Sequence, residues 1–312
     1  TTTNQTNWPM ITVVRNQKLK TLLKEKKTLV GAGAYDGLSA RLIEESGFDL
    51  IYVSSMSATA SIYGKADMGI MTLPAMLELT RNISNVVEIP VIADIEQGYG
   101  NYLNIAYNIR EFEKAGAQGV LIDDSVPGNV WSVELISGFG GPSKGMPLRE
   151  VISVEEMCKK IRAAVQERSD RSTVVTVRCN LRGTKGYTTD AAIKRANRYI
   201  DAGADVIWAA GTVEEKREYA KRVKPPLGLF TAIVPSQDPI TVDDFVKMNI
   251  RTILYTTPPI YLAGKGLLEA LKKLHSSGNI GDVWDQMFSH DEFNRVTKLN
   301  EPVEILRKYA KT

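Results

Sequence analysis

Histidine and cysteine are nearly missing from this chain of 312 residues, which has two of each. His275 and His290 both fall near the C-terminus. So few histidines argue against a Ser–His–Asp triad and against a His-rich zinc site. Cys158 and Cys179 make no disulfide framework, and a reducing, cytoplasmic setting is the simplest expectation. Long apolar runs are absent, so no membrane span is expected. The opening stretch 1–9 is polar and lacks the charged-then-apolar order of a signal peptide. An excess of one charge is also missing. A net charge of +3 gives no electrostatic case for a nucleic-acid partner. What remains is 43% hydrophobic and 24% charged, the composition of a soluble globular protein. The length suits one large α/β barrel or two ordinary domains.

A strand–helix rhythm runs through most of the chain. After a loose arm and a basic amphipathic helix over 17–27, short apolar strands are predicted at 28–32, 50–53, 91–94, 119–123, 174–178, 206–209, 227–230 and 252–255. Helices are predicted at 38–46, 74–86, 103–115, 154–166, 191–202, 213–223, 242–248 and 259–274. Gly47, Gly116 and Gly203 stop helices ahead of the next strand. The strands lack clean alternation, as buried parallel strands do. Eight βα units predict a (β/α)8 TIM-type barrel, an α/β fold in a single domain spanning 1–312 with 1–27 as N-terminal arm and helix. An open doubly wound sheet is the competitor, but no glycine-rich dinucleotide fingerprint follows the first strand. Residues 278–312 lie beyond the eighth unit. Helices predicted at 282–288 and 291–309 carry Val283, Trp284, Met287, Phe293, Val296, Leu299, Val303, Ile305 and Leu306. These need a surface, either the barrel's own bottom or a neighbouring subunit, and a homo-oligomer that buries this extension is expected.

The polar residues collect where strands end, the end of a barrel that carries chemistry. Tyr35 and Asp36 follow the first strand. Ser54, Ser55 and Ser57 follow the second, with Asp67 in the loop beyond. Asp94 and Glu96 end the third, Asp123 and Asp124 the fourth, Arg178 and Asn180 the fifth. Period-two geometry would put Asp94 and Glu96 on one face of an extended chain. Carboxylates gathered on one rim repel each other unless a cation sits among them, and hard oxygen ligands suit Mg2+, or Mn2+ as the alternative. Each acid taken singly has a blander reading: Asp67 as a turn cap, Asp124 as a lysine partner. That reading does not explain why acids follow successive strands.

Several phrases, in order, resemble the phosphoenolpyruvate mutase/isocitrate lyase superfamily, in its methylisocitrate-lyase-like branch. They are Gly33-Ala34-Tyr35-Asp36-Gly37-Leu38-Ser39-Ala40, Ile51-Tyr52-Val53-Ser54-Ser55, Ala66-Asp67-Met68-Gly69-Ile70, Ala93-Asp94-Ile95-Glu96-Gln97-Gly98-Tyr99-Gly100, Ile122-Asp123-Asp124 and Val151-Ile152-Ser153-Val154-Glu155-Glu156-Met157. The similarity runs from about residue 17 to 260. It implies a barrel whose last helix is often swapped within a dimer of dimers, hence a homotetramer. It implies Mg2+ held largely through water and small 2-oxo or 2-hydroxy carboxylic acids as substrates. The chemistry it implies passes through a metal-stabilised enolate. Asp94 would be the direct metal ligand, with Glu96, Asp67 and Asp123 holding metal-bound waters. Ser54, Ser55 and Met56 would offer backbone N–H groups to the substrate, with Tyr52 beside them. Arg178 would bind a substrate anion, and Tyr99 would line the pocket.

The chain also departs from that family. Strand 3 carries Asp94-Ile95-Glu96 in place of Asp-x-Asp, and strand 4 carries Asp123-Asp124 in place of Glu-Asp. The long loop 125–150 lacks the lyases' acid/base cysteine, and Ser143 falls at its place, followed by Lys144. The mutases' lysine and asparagine are replaced by Ser125 and Trp131. Ala210 and Phe230 replace polar residues that grip further carboxylates. With Trp208, and with Tyr255, they would make half the pocket apolar unless these aromatics simply fill the barrel. Ser143, Lys144, Glu134 and Tyr99 are the acid/base candidates, and Gly138, Gly140, Gly141 and Gly145 suit a lid. The leading expectation is a Mg2+-dependent carbon–carbon lyase. The alternatives are a decarboxylase, hydrolase or P–C mutase of an oxaloacetate- or phosphonopyruvate-like acid, or a non-catalytic ligand-binding relative.

Overall fold

The computed structural model describes residues 18–25, 28–126, 150–233 and 240–310. Eight parallel strands close into a barrel in chain order: β1 (Leu29–Ala34), β2 (Leu50–Val53), β3 (Val91–Asp94), β4 (Gly119–Asp123), β5 (Val174–Arg178), β6 (Val206–Trp208), β7 (Leu229–Ala232) and β8 (Thr252–Tyr255). The expected (β/α)8 barrel is therefore present. β1 closes it against β8, from Leu29 opposite Thr252 to Ala32 opposite Tyr255. Gly33 permits that closure, since a Cβ there would sit 2.0 Å from the Thr256 carbonyl oxygen.

Side chains alternate across each strand, which sorts the apolar residues into two cores. Leu29, Leu50, Ile92, Leu121, Val174, Val206, Phe230 and Leu254 point inward and fill the barrel. Ile51, Val53, Val91, Ala93, Val120, Ile122, Val175, Val177, Ile207 and Ile253 point outward, against apolar helix faces such as Met157, Ile161 and Ala164. Both faces are covered, which is why the strands read as continuous apolar runs. The N-terminal helix Leu19–Lys24 sends Leu19, Leu22 and Leu23 into the inner core. Leu19 touches the start of β4, and its N–H donates to the Gln118 side chain at 2.8 Å. This helix occupies the bottom of the barrel.

The elements match expectation to within a few residues, with three instructive differences. β7 starts at Leu229 because Pro225 accepts from the Gly228 N–H in a turn that needs Gly228 at φ +100°. A helix, Ser55–Tyr63, follows β2 where no helix was predicted. Its sequence Ser-Met-Ser-Ala-Thr-Ala-Ser-Ile-Tyr has no apolar stripe to reveal it. The predicted C-terminal helices are also differently divided. Residues near 282 form 3-10 turns at Ile280–Asp282 and Trp284–Gln286. The helix predicted over 291–309 breaks into His290–Val296 and Asn300–Tyr309. Lys298 between them is left-handed at φ +53°, and Pro302, which lacks an N–H, sits in the first turn of the second helix, where N–H groups have no intrahelical acceptor.

Candidate active site

Alternation puts the last inward residue of five successive strands on one rim: Tyr52, Asp94, Asp123, Arg178 and Trp208. The Tyr52 hydroxyl donates to Asp94 Oδ2 at 2.6 Å, and the Ser55 hydroxyl lies 3.2 Å from the same oxygen. Arg178 Nη2 donates to Asp123 Oδ2 at 3.1 Å. The Arg178 guanidinium lies over the Trp208 ring, 5.3 Å from its centroid. Trp208 and Tyr52 close the circuit across the barrel with ring centroids 6.1 Å apart. Charge-assisted hydrogen bonds of this kind are each worth about 1.5–3 kcal/mol, enough to hold a buried carboxylate in one orientation.

Asp94 and Glu96 do converge, but not as an extended strand. β3 ends at Asp94, and Glu96 adopts a left-handed backbone at φ +52°. Gly98, Tyr99 and Gly100 continue at φ +87°, +56° and +144°. The two glycines were the sign of a tight turn; a side chain at Gly98 would collide with Ile105. Left-handed backbone at Glu96 and Tyr99 stores on the order of 1 kcal/mol each and is found where function over-determines the chain. The Glu96 N–H donates to Asp94 Oδ1 at 3.0 Å, which ties the start of the turn to the Asp94 carboxylate.

The acids strain one another. Burial, then Asp94 and Asp67, push Glu96 well above the carboxylate range. Burial also raises Asp94, against the pull of Arg178 and the Tyr52 hydrogen bond. Asp67, in the loop after the helix Ser55–Tyr63, is pushed up to about 6 by burial and by Asp94. Burial and these carboxylates raise the Tyr99 hydroxyl too. Among the described residues, Glu96 Oε1 and the Tyr99 hydroxyl are buried without a hydrogen-bond partner. A bare carboxylate oxygen beside two further acids is a donor set that fits a hard divalent cation. Among the described residues no three carboxylate, histidine or cysteine side chains gather closely enough to cage an ion, so an ion here would complete its shell with water or substrate oxygens.

Other expected residues divide between this rim and the scaffold. The Asp123 carboxylate is set by Arg178 on one oxygen and by the Ser125 N–H and hydroxyl on the other, and Asn180 donates to that Ser125 hydroxyl at 3.0 Å. Ser54 cannot offer its N–H to a ligand as expected, because it donates to the Ala34 carbonyl at 3.0 Å; its hydroxyl caps the following helix at Ser57. Ser55 and Met56 are the first two residues of that helix, where N–H groups lack intrahelical acceptors. Phe230 is fully buried in the inner core, as the barrel-filling reading has it. Tyr255 is not a pocket residue: it points outward and packs edge-on against Phe48, 6.1 Å away. Asp36 caps the helix Gly37–Glu45 and belongs to the scaffold. Ser143, Lys144 and Glu134 lie outside the described residues.

The fold is thus a closed parallel barrel whose C-terminal rim carries carboxylates, an arginine and a helix N-terminus, the end where barrels of this kind bind small molecules. The chain belongs to the phosphoenolpyruvate phosphomutase family, whose model matches residues 19–275, and so to the phosphoenolpyruvate mutase/isocitrate lyase superfamily. It is 31% identical to a 2,3-dimethylmalate lyase of Eubacterium barkeri over 94% of this chain and 97% of that one. It is 32% identical to a 2-methylisocitrate lyase of Aeropyrum pernix over 88% of this chain and 84% of that one. The fold superposes with a TM-score of 0.82 on a phosphonopyruvate hydrolase in complex with oxalate and Mg2+, at 27% identity over 95% of this chain and 99% of that one.

Proposed function

We propose that this protein is a divalent-metal-dependent lyase, with Mg2+ as the ion, that cleaves a carbon–carbon bond in a small 2-hydroxy or 2-oxo carboxylic acid. The observation that carries the reading is the unpartnered Glu96 oxygen beside Asp94 and Asp67, three acids raised chiefly by burial and further by neighbouring carboxylates, on the rim that also holds Arg178. Asp94 would hold the ion directly, and Glu96, Asp67 and Asp123 would hold its waters. When bound, the ion would stabilise negative charge developing on the oxygen next to the substrate carboxylate.

The protein's own groups do the rest. The Ser55 and Met56 N–H groups at a helix start attract the substrate carboxylate. Arg178, anchored on Asp123 and stacked on Trp208, presents positive charge to the same anion. Tyr52 holds Asp94 in its orientation. Trp208 supplies an apolar wall, and Ala210, packed on the inner core, leaves room there for an apolar substituent. Support also comes from the lyases among the relatives, named for 2,3-dimethylmalate and 2-methylisocitrate. Tyr99 is the acid/base candidate among the described residues; Ser143, Lys144 and Glu134 are the others.

The test is calorimetric titration of oxalate, a mimic of a pyruvate enolate, with and without Mg2+, on the native chain and on Asp94→Ala. Binding should require both Mg2+ and Asp94. Equal binding by Asp94→Ala would remove the metal role, and no binding by the native chain would favour a non-catalytic relative. A hydrolase or decarboxylase of an oxaloacetate- or phosphonopyruvate-like acid is the second reading, favoured by the phosphonopyruvate hydrolase likeness. Product analysis separates the two, since a lyase yields two organic products and no phosphate, oxalate or CO2.

The same chain is proposed to assemble with copies of itself, as a tetramer. The helix Pro258–Ser277 buries none of its residues, and Leu262, Leu267, Leu268 and Leu271 are exposed. In the C-terminal extension Val283 and Val296 are buried, whereas Trp284, Met287, Phe293 and Leu306 are exposed. An apolar surface of this extent is what subunit contacts cover. Light scattering that gives a monomer mass would refute the assembly.

A further inference from the structure

The turn 96–100 has the most unusual backbone at the candidate site, and its own sequence does little to hold it. Four of its five residues have positive φ, two of them non-glycine. Its local hydrogen bonds run back to the strand end, from the Gly98 N–H to the Ile95 carbonyl at 2.7 Å and from the Glu96 N–H to Asp94 Oδ1 at 3.0 Å. Three of its carbonyls are gripped from outside. The Asp123 N–H takes the Glu96 carbonyl at 2.9 Å. The Lys160 ammonium donates to the Gln97 carbonyl at 2.9 Å, and Asn108 Nδ2 donates to the Gly98 carbonyl at 2.9 Å.

Neither side chain sits where chance would put it. Lys160 lies on the apolar face of the helix Val154–Glu167, between Met157 and Ile161, and is 2% exposed. Lysine is almost never buried unless it is paired. Asn108 is likewise buried, on the inner face of the helix Tyr102–Lys114 between Ile105 and Ile109. Both helices place their polar group against the back of the turn, away from the inward rim. Removing either donor leaves a buried peptide carbonyl without its partner, and the turn loses the contact that opposes its relaxation out of the left-handed region.

We propose that Lys160 and Asn108 are positioning residues: a two-point clamp on the Gln97 and Gly98 carbonyls that fixes the left-handed turn and thereby the Glu96 carboxylate and Tyr99 hydroxyl on the rim. The clamp rests on the proposed function only in what the rim then binds. Lys160 touches no reacting atom, and its effect runs through Glu96 and Tyr99.

The experiment uses the full chain as Lys160→Met and, because the buried lysine variant can lose its fold, as Asn108→Leu. Hydrogen exchange of the metal-free protein reads the clamp directly. Amides of 95–101 should exchange roughly tenfold faster in each variant, while those of β5 to β8 stay at the native rate. Unchanged exchange at 95–101, or faster exchange spread evenly over the barrel, would overturn the clamp. Mg2+-dependent oxalate binding reads its consequence. Each variant should weaken binding roughly tenfold in the native background and far less in a Glu96→Gln background, because the effect is transmitted through Glu96. Equal losses in both backgrounds would mean general destabilisation and overturn the positioning role. If the native chain binds no oxalate with Mg2+, the function reading fails, while the exchange measurement still decides the clamp.

Discussion

Two buried acids at neighbouring strand ends, Asp124 and Glu96, are treated in opposite ways. Asp124 follows β4 and points outward. Its carboxylate receives Arg195 Nε at 2.7 Å, the Tyr199 hydroxyl at 2.6 Å and the Asn180 N–H at 2.7 Å. Glu96 follows β3 on the inner side, has Ser55 on one side and leaves Oε1 without a donor. Burial raises both carboxyls, but only Asp124 has a cation bonded to it in opposition. A buried acid that serves the fold is saturated by the fold. The acid left short of donors, beside two more acids, is the one that the proposed function assigns to the metal environment.

The largest effect should come from breaking the saturated acid. Arg195→Leu strands a carboxylate in the barrel wall, and an uncompensated buried charge costs about 3–5 kcal/mol. Denaturant unfolding should show a loss of that size. A loss below about 1 kcal/mol would mean that Asp124 is stabilised some other way and would erase the contrast.

The unsaturated acid should respond with the opposite sign. Glu96→Gln removes an ionisable group that burial, and then Asp94 and Asp67, hold away from its charged form, so the metal-free chain should gain on the order of 1–2 kcal/mol at pH 7.5. The same change should weaken Mg2+-dependent oxalate binding. Thermal melts with and without Mg2+ check both halves. A variant that is less stable without metal would show that the Glu96 carboxylate already has its partner in the fold.

Much of this contrast was legible in the sequence, and the rest was hidden for physical reasons. Apolar runs and glycine stops revealed the eight strands, because a strand covered on both faces leaves a continuous apolar signature. The rim acids were visible because Asp94 and Asp123 fall at strand ends and Asp67 in the connection that follows β2. What sequence could not show was the side each acid faces once a strand stops. Asp123 and Asp124 are adjacent and differ only in direction, and Glu96 left the extended path that the pairing with Asp94 presumed. Gly98 and Gly100 were the available warning. Lys160 stayed hidden for another reason: a lysine on a helix reads as solvated until the neighbouring strand's turn is known to lie beneath it. The helix Ser55–Tyr63 was missed because small and polar side chains give no stripe, although Ser54 as cap and Gly64 as left-handed stop bracket it.

The smallest effect expected is also the one that asks whether the inner acids act together. Asp67 is raised from 3.8 to about 6 by burial and by Asp94. A carboxyl raised on folding favours the folded state most when protonated. In the metal-free chain its contribution is fully present below about pH 4 and is lost as pH rises through about 6. A cation reverses the preference, since it needs the ionised form. Mg2+-dependent oxalate binding should therefore be about tenfold weaker at pH 5 than at pH 7 from this group alone, with the other raised acids steepening the profile. Asp67→Asn should take one proton out of that slope and weaken binding at pH 7. It should also remove the metal-free loss of stability between about pH 4 and pH 6, because an amide has no proton to lose on that range. A slope unchanged by Asp67→Asn would place Asp67 with Asp124, as an acid belonging to the fold, and would leave the candidate metal environment to Asp94, Glu96 and Asp123.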